Sequence, residues 1–124
     1  MYNEIDKGCL LPIREALRVL GGKWSFLVLM YLSLGPLRFN QLRRELEDIS
    51  TKSLTDTLRH LESNDIIHRQ VFPTVPVTVE YSLTEKGKDF QNVLLAMDQW
   101  GQKWGKPQDE NDQVHLNNGH ASRN

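Results

Sequence analysis

Residues 35–87 read GPLRFNQLRRELEDISTKSLTDTLRHLESNDIIHRQVFPTVPVTVEYSLTEKG. Asn40 is a good N-cap for a short helix from Gln41 to Leu46, with Leu42 and Leu46 facing inward and Arg43, Arg44, Glu45 and Glu47 outward. After the turn Ile49-Ser50-Thr51-Lys52, in which Ser50 or Thr51 supplies the next cap, a second helix carries Leu54, Leu58 and Leu61. At about 100° per residue these three fall within roughly 40° of one line, opposite Lys52, Asp56, Arg59 and Ser63, with Thr55 and His60 at the flanks. Asn64-Asp65 ends that helix, and Asn tolerates the left-handed conformation such endings use. Two β-rich runs follow, Ile66 to Phe72 and Val77 to Leu83, and the second alternates Val77, Val79, Tyr81 and Leu83 against Thr78, Glu80 and Ser82. Pro73 and Pro76 stiffen the tip between them. Helix, tight turn, helix and hairpin in this order predict a winged helix-turn-helix, mainly α with a small β-hairpin, and a chain that reads double-stranded DNA rather than catalysing a reaction.

Upstream, Pro12 stands where a first helical turn tolerates it, and Ile13, Ala16, Leu17 and Leu20 follow at helical spacing up to Gly21-Gly22. Trp24 to Leu34 is apolar almost all round, which suits a helix at the centre of the core, stopped by Gly35-Pro36. Leu37-Arg38-Phe39 is too short for an independent strand but suits a sheet edge. Downstream, Thr84-Glu85 opens a last helix whose Phe90, Val93, Leu94, Met97, Trp100 and Trp104 make an apolar stripe that a domain of this size does not bury alone, so a partner chain is expected to cover it. Residues 107–124 are nearly devoid of apolar side chains and read as a disordered polar tail behind a single domain at 1–106.

The 124 residues carry a formal charge of −1. The tail contributes −2, from Arg123 against Asp109, Glu110 and Asp112, which leaves +1 on the rest. Such a body does not bind nucleic acid by bulk charge, so DNA contact must come from a local cluster held in geometry. A single cysteine, Cys9, excludes an internal disulfide and argues for a reducing compartment. The N-terminus lacks a signal-peptide core, and Phe26 to Leu32, the longest apolar run, is too short to span a bilayer, so a cytoplasmic location is expected. The histidines have no metal-ligand spacing, and no phosphate-cradling loop, nucleophile elbow or acid–base pair is visible, so neither metal nor cofactor is expected.

The segments Leu20-Gly21-Gly22-Lys23-Trp24, Gly35 to Leu42, Ile49-Ser50, Leu54-Thr55, Leu58-Arg59-His60-Leu61-Glu62, Pro76, Val79 to Gly87 and Trp100-Gly101 together resemble the signature of the HxlR-type transcription regulators, a branch of the MarR-like winged helices. The resemblance runs over roughly residues 11 to 105. It implies a homodimeric bacterial regulator of a palindromic operator, with dimer contacts from the first and last helices and, in some members, a response to oxidants or electrophiles through a cysteine near the N-terminus. Two departures stand out. The family's cysteine immediately precedes the proline of the first helix, where this chain has Leu11, with Cys9 further upstream of the helix. Asp65 replaces a glycine common at the turn into the wing, and Asn64 is expected to supply that turn.

The candidate residues follow from this plan. Lys52, Thr55, Asp56 and Arg59 face the major groove, with Ser50, Thr51 and Ser53 at the helix start. Arg suits bidentate pairing with guanine, and Lys or Thr suits phosphate or base edges. Asp56 either selects against wrong bases, accepts from a cytosine amino group, or orients Arg59. Arg38, Arg43, Arg44 and Arg69 are phosphate clamps, although Glu47 and Asp48 are rival partners for Arg43 and Arg44. Thr74 and Thr78 could reach the minor groove or backbone from the wing. Cys9, two residues from Lys7, is the candidate redox sensor for an oxidant or small-molecule effector. Ile13, Leu17, Leu94, Met97, Trp100 and Trp104 are the candidate dimer interface. The alternative is a winged-helix module that binds protein rather than specific DNA.

Overall fold

The computed structural model describes residues 7–105, with side chains from Leu10 onward. At the centre of the core lies α2 (Lys23–Leu32), which buries Ser25, Val28, Leu29 and Leu32. Around it are α1 (Lys7–Leu20), α3 (Phe39–Glu45), α4 (Thr51–Ser63) and the long α5 (Glu85–Trp104). Three antiparallel strands, β1 (Leu37–Arg38), β2 (Ile67–Phe72) and β3 (Thr78–Leu83), form a sheet in the order β1-β3-β2. Leu42, Leu54, Leu61, Ile66 and Ile67 join α2 in the buried centre, so the α4 face bearing Leu54, Leu58 and Leu61 is inward as its spacing requires.

Capping accounts for several of the boundaries. Ser50 Oγ accepts from the Ser53 N–H at 3.0 Å and starts α4, and Thr84 Oγ1 accepts from the Gly87 N–H at 3.1 Å and starts α5. The two-residue β1 pairs Leu37 with Tyr81 and Arg38 with Glu80, which is the sheet-edge role its length allowed. That pairing also moves the start of α3. Arg38, still extended by its strand, is the N-cap in place of Asn40, and its N–H donates to Gln41 Oε1 at 2.8 Å.

Two further expectations are corrected. α1 begins at Lys7, so Pro12 lies inside the helix rather than in its first turn, and Cys9 lies within the helix rather than upstream of it. At the end of α4 the left-handed residue is Asp65, with φ 62°, and not Asn64. The backbone there closes a two-bond cap: Ile66 N–H donates to Leu61 O and Asp65 N–H to Glu62 O, each at 2.9 Å, while Leu61 and Ile66 are both buried. Position, not residue preference, decides which residue turns, because only the second residue after the helix can aim the Ile66 N–H back at Leu61. Leu94, on the side of α5 turned toward α2, packs against the core of its own chain and is half-buried. The proposed polar tail, residues 107–124, lies outside the described residues.

Candidate nucleic-acid interface

With Leu54, Leu58 and Leu61 buried, the opposite side of α4 has to face solvent. Thr51, Lys52, Asp56 and Arg59 are exposed there, while Ser53 and Thr55 are half-buried at its margins. Lys52 Nζ lies 3.3 Å from Asp56 Oδ2, one helical turn apart, so Asp56 pairs with Lys52 and does not orient Arg59. Both members are exposed, and such a pair is weak enough to open toward a phosphate or a base. The Thr55 hydroxyl donates to Thr51 O at 2.8 Å, and Ser50 is committed to the cap, so these two hydroxyls offer their remaining hydrogen-bonding capacity from fixed positions.

Arg59 lies in a cleft of about 460 Å³ between α4 and the hairpin, together with Thr55, Glu62, Arg69 and Tyr81. The fold thus brings together Arg59 from the second helix of the motif and Arg69 from the wing strand, 10 positions apart in a chain whose local pattern does not pair them. Tyr81 and Glu62 join the cleft without having been among the candidate residues. The alternation of β3 put Tyr81 on the inner face, where a phenol is a sign that the face is not wholly dry. A second cleft of about 480 Å³ is lined by Arg38, Asn40, Gln41, Arg43 and Arg44 beside α3. Arg38, Arg43, Arg44 and Arg69 are all exposed. In the wing, Thr74 Oγ1 donates to Pro76 O at 2.8 Å and lies 3.1 Å from Thr78 Oγ1, so these hydroxyls brace the tip.

On the other side of the domain, apolar residues stand in solvent. Ile13 and Leu17 of α1 are 49% and 61% exposed, and Met97, Trp100 and Trp104 of α5 are 48%, 67% and 64% exposed. Aromatic side chains of this size at such exposure are what an interface leaves uncovered in a single chain. Among the described residues no group of His, Cys, Asp and Glu could hold a metal, and no helix is long and apolar enough to cross a membrane.

A capped, solvent-facing second helix flanked by arginines and followed by a β-hairpin defines a winged helix-turn-helix DNA-binding protein. Comparison with known proteins narrows the class. The profile of the HxlR-like helix-turn-helix family matches residues 19–109. A protein of Methanothermobacter thermautotrophicus, named as an uncharacterised HTH-type transcriptional regulator, is 44% identical over 104 residues, covering 84% of this chain and 79% of the relative. The HTH-type transcriptional regulator YodB of Bacillus subtilis is 39% identical over 97 residues, covering 78% of this chain and 87% of YodB. Among solved structures, the redox regulator HypR in its oxidised form superposes with a TM-score of 0.72 at 40% identity, over 79% of this chain and 98% of HypR. The chain belongs to the HxlR-like helix-turn-helix family and is a DNA-binding transcription regulator, not an enzyme.

Proposed function

We propose that this regulator binds a palindromic operator as a homodimer, placing one α4 from each copy in successive major grooves about 34–36 Å apart. The observation that carries this reading is the division of α4: Leu54, Leu58 and Leu61 anchor it in the core, Ser50 caps it, and Lys52, Asp56 and Arg59 are left facing out. Arg59 reads a base edge, while Arg38, Arg43, Arg44 and Arg69 hold phosphates and set the register without carrying sequence information. The apolar residues of α1 and α5 supply the contact between copies, and the two-fold symmetry of that contact is what a palindrome mirrors.

The test is fluorescence anisotropy of labelled duplex from upstream of the protein's own gene and its neighbours, against scrambled duplex, at two salt concentrations. Sequence-selective binding that weakens with salt supports the operator reading; association insensitive to salt and to sequence supports a protein-binding module instead.

Redox control through Cys9 is a second reading. It is favoured by the position of Cys9 in the first turn of α1, a helix of the proposed dimer contact, and by the likeness to HypR, which is named a redox regulator. Loss of operator binding on treatment with a thiol oxidant, reversed by a reducing thiol and absent in Cys9→Ser, is the expected result. Equal oxidant response in Cys9→Ser would remove Cys9 from the mechanism.

A further inference from the structure

The last four carbonyls of a helix have no partner within it. In α1 two of them are met locally: Leu17 O accepts from Gly21 N–H at 2.9 Å and Leu20 O from Gly22 N–H at 3.0 Å. The other two are met from across the fold. His60 Nε2, on α4, lies 2.8 Å from Val19 O and 3.1 Å from Arg18 O. Carbonyls only accept, so Nε2 carries the hydrogen and shares it between them. Among the described residues no other side-chain hydrogen bond joins α1 to α4. Gly21, with φ +83°, brings its backbone so close that a Cβ there would stand 3.3 Å from two atoms of the imidazole ring, which leaves the ring little freedom to turn.

We infer that His60 is a positioning residue, the joint that sets the angle of the DNA-reading helix on α1 and thereby the half-site spacing the dimer accepts. The inference rests on the palindromic-operator reading above. Apolar packing between the helices is non-directional and tolerates small tilts, whereas a hydrogen bond from a stiff, confined ring to two fixed carbonyls does not. The lever is long enough to matter. Lys52 is eight residues from His60, or about 12 Å along the axis, so a tilt of about 15° at His60 moves Lys52 by about 3 Å, close to the ~3.4 Å step of one base pair. His60 itself is half-buried and is not one of the side chains offered to DNA, so its loss alters the setting of α4 and not the chemistry of the side chains that read DNA.

The experiment uses the full chain and an operator selected from random duplex by the wild-type protein. Affinities are measured for that operator, for versions with one base pair inserted or deleted between the half-sites, and for an isolated half-site, using wild type, His60→Leu and His60→Gln. The Gln amide restores a donor near the place of Nε2. Wild type and His60→Gln are expected to disfavour altered spacing about tenfold or more, and His60→Leu only about two- to threefold, while half-site affinity stays within about twofold in all three. The half-site measurement also certifies that each variant is folded, and His60→Ser replaces the Leu variant if it fails there. Unaltered spacing discrimination in His60→Leu, or a His60→Gln protein that behaves like His60→Leu, overturns the role of His60 while leaving the operator reading intact. A wild-type protein that selects no spaced palindrome overturns both.

Discussion

Gly87 lies in the first turn of α5, and replacing it with alanine sets two effects of opposite sign against each other. Helix propensity alone favours alanine by about 1 kcal/mol. The packing opposes it: a Cβ on Gly87 would stand 2.2 Å from Ile66 O and 3.2 Å from a methyl carbon of Leu83. Ordinary contact between carbon and a carbonyl oxygen is about 3.3 Å, so the helix must withdraw by about 1 Å. What it withdraws from is the junction that holds α5 to the end of α4. Ile66 O accepts from Thr84 N–H at 3.1 Å, and the single hydrogen of the Thr84 hydroxyl is shared between Asp65 O at 2.6 Å and Ile66 O at 3.0 Å. Losing one or two of these bonds costs about 1 kcal/mol each, and crowding a packed site adds about 1–3 kcal/mol. After the gain in propensity, Gly87→Ala should destabilise each chain by about 2 kcal/mol and lower the melting temperature by about 8–16 °C. The assay is a thermal melt followed by far-UV circular dichroism at several protein concentrations, so that a change in self-association is separated from a change in the fold. A variant within about 0.5 kcal/mol of wild type would mean that the contact with Ile66 O does not outweigh helix propensity at Gly87.

Other substitutions probe separate parts of the molecule. Asp65→Gly relieves a non-glycine residue held at φ 62° and should raise stability by about 0.5–1 kcal/mol, read as a higher urea midpoint at unchanged slope; a lower midpoint would mean that the Asp65 side chain contributes more than its backbone costs. Arg59→Ala should weaken the selected operator by about 1–3 kcal/mol and relax preference at one base pair per half-site, whereas Arg43→Ala should weaken all sequences alike and lessen the slope of log affinity against log salt by about 1. Identical behaviour of the two in a competition binding assay would dissolve the distinction between base reading and phosphate clamping. Trp100→Arg, at a position open to solvent in the single chain, should leave the melting of an isolated chain near wild type but shift sedimentation toward monomer; an unchanged sedimentation profile would place the dimer contact elsewhere.

The elements that local chemistry controls are legible in the sequence. Leu54, Leu58 and Leu61 recur at helical spacing and are all buried, Ser50 and Thr84 stand at the caps they were suited to, and the alternating run at 77–83 became β3 except for Val77, which precedes the strand. In each case the signal is a repeat or a neighbour within four residues, which is the range over which backbone geometry alone relates side chains. The outward-facing candidates on α4 were legible for the same reason: once the buried line of a helix is known, its opposite face is known too. What lay outside that range came from the fold alone. His60 meets carbonyls 41 and 42 positions earlier, Gly87 meets Ile66, and Arg59 shares a cleft with Arg69 and Tyr81. Leu94 belonged to the same apolar stripe as Trp100 and Trp104, yet it packs inward while they stay exposed. A stripe records that side chains are apolar and share a face. How much of that face one chain covers depends on where α2 crosses α5, and that crossing is set by the packing of the whole core rather than by residues near Leu94.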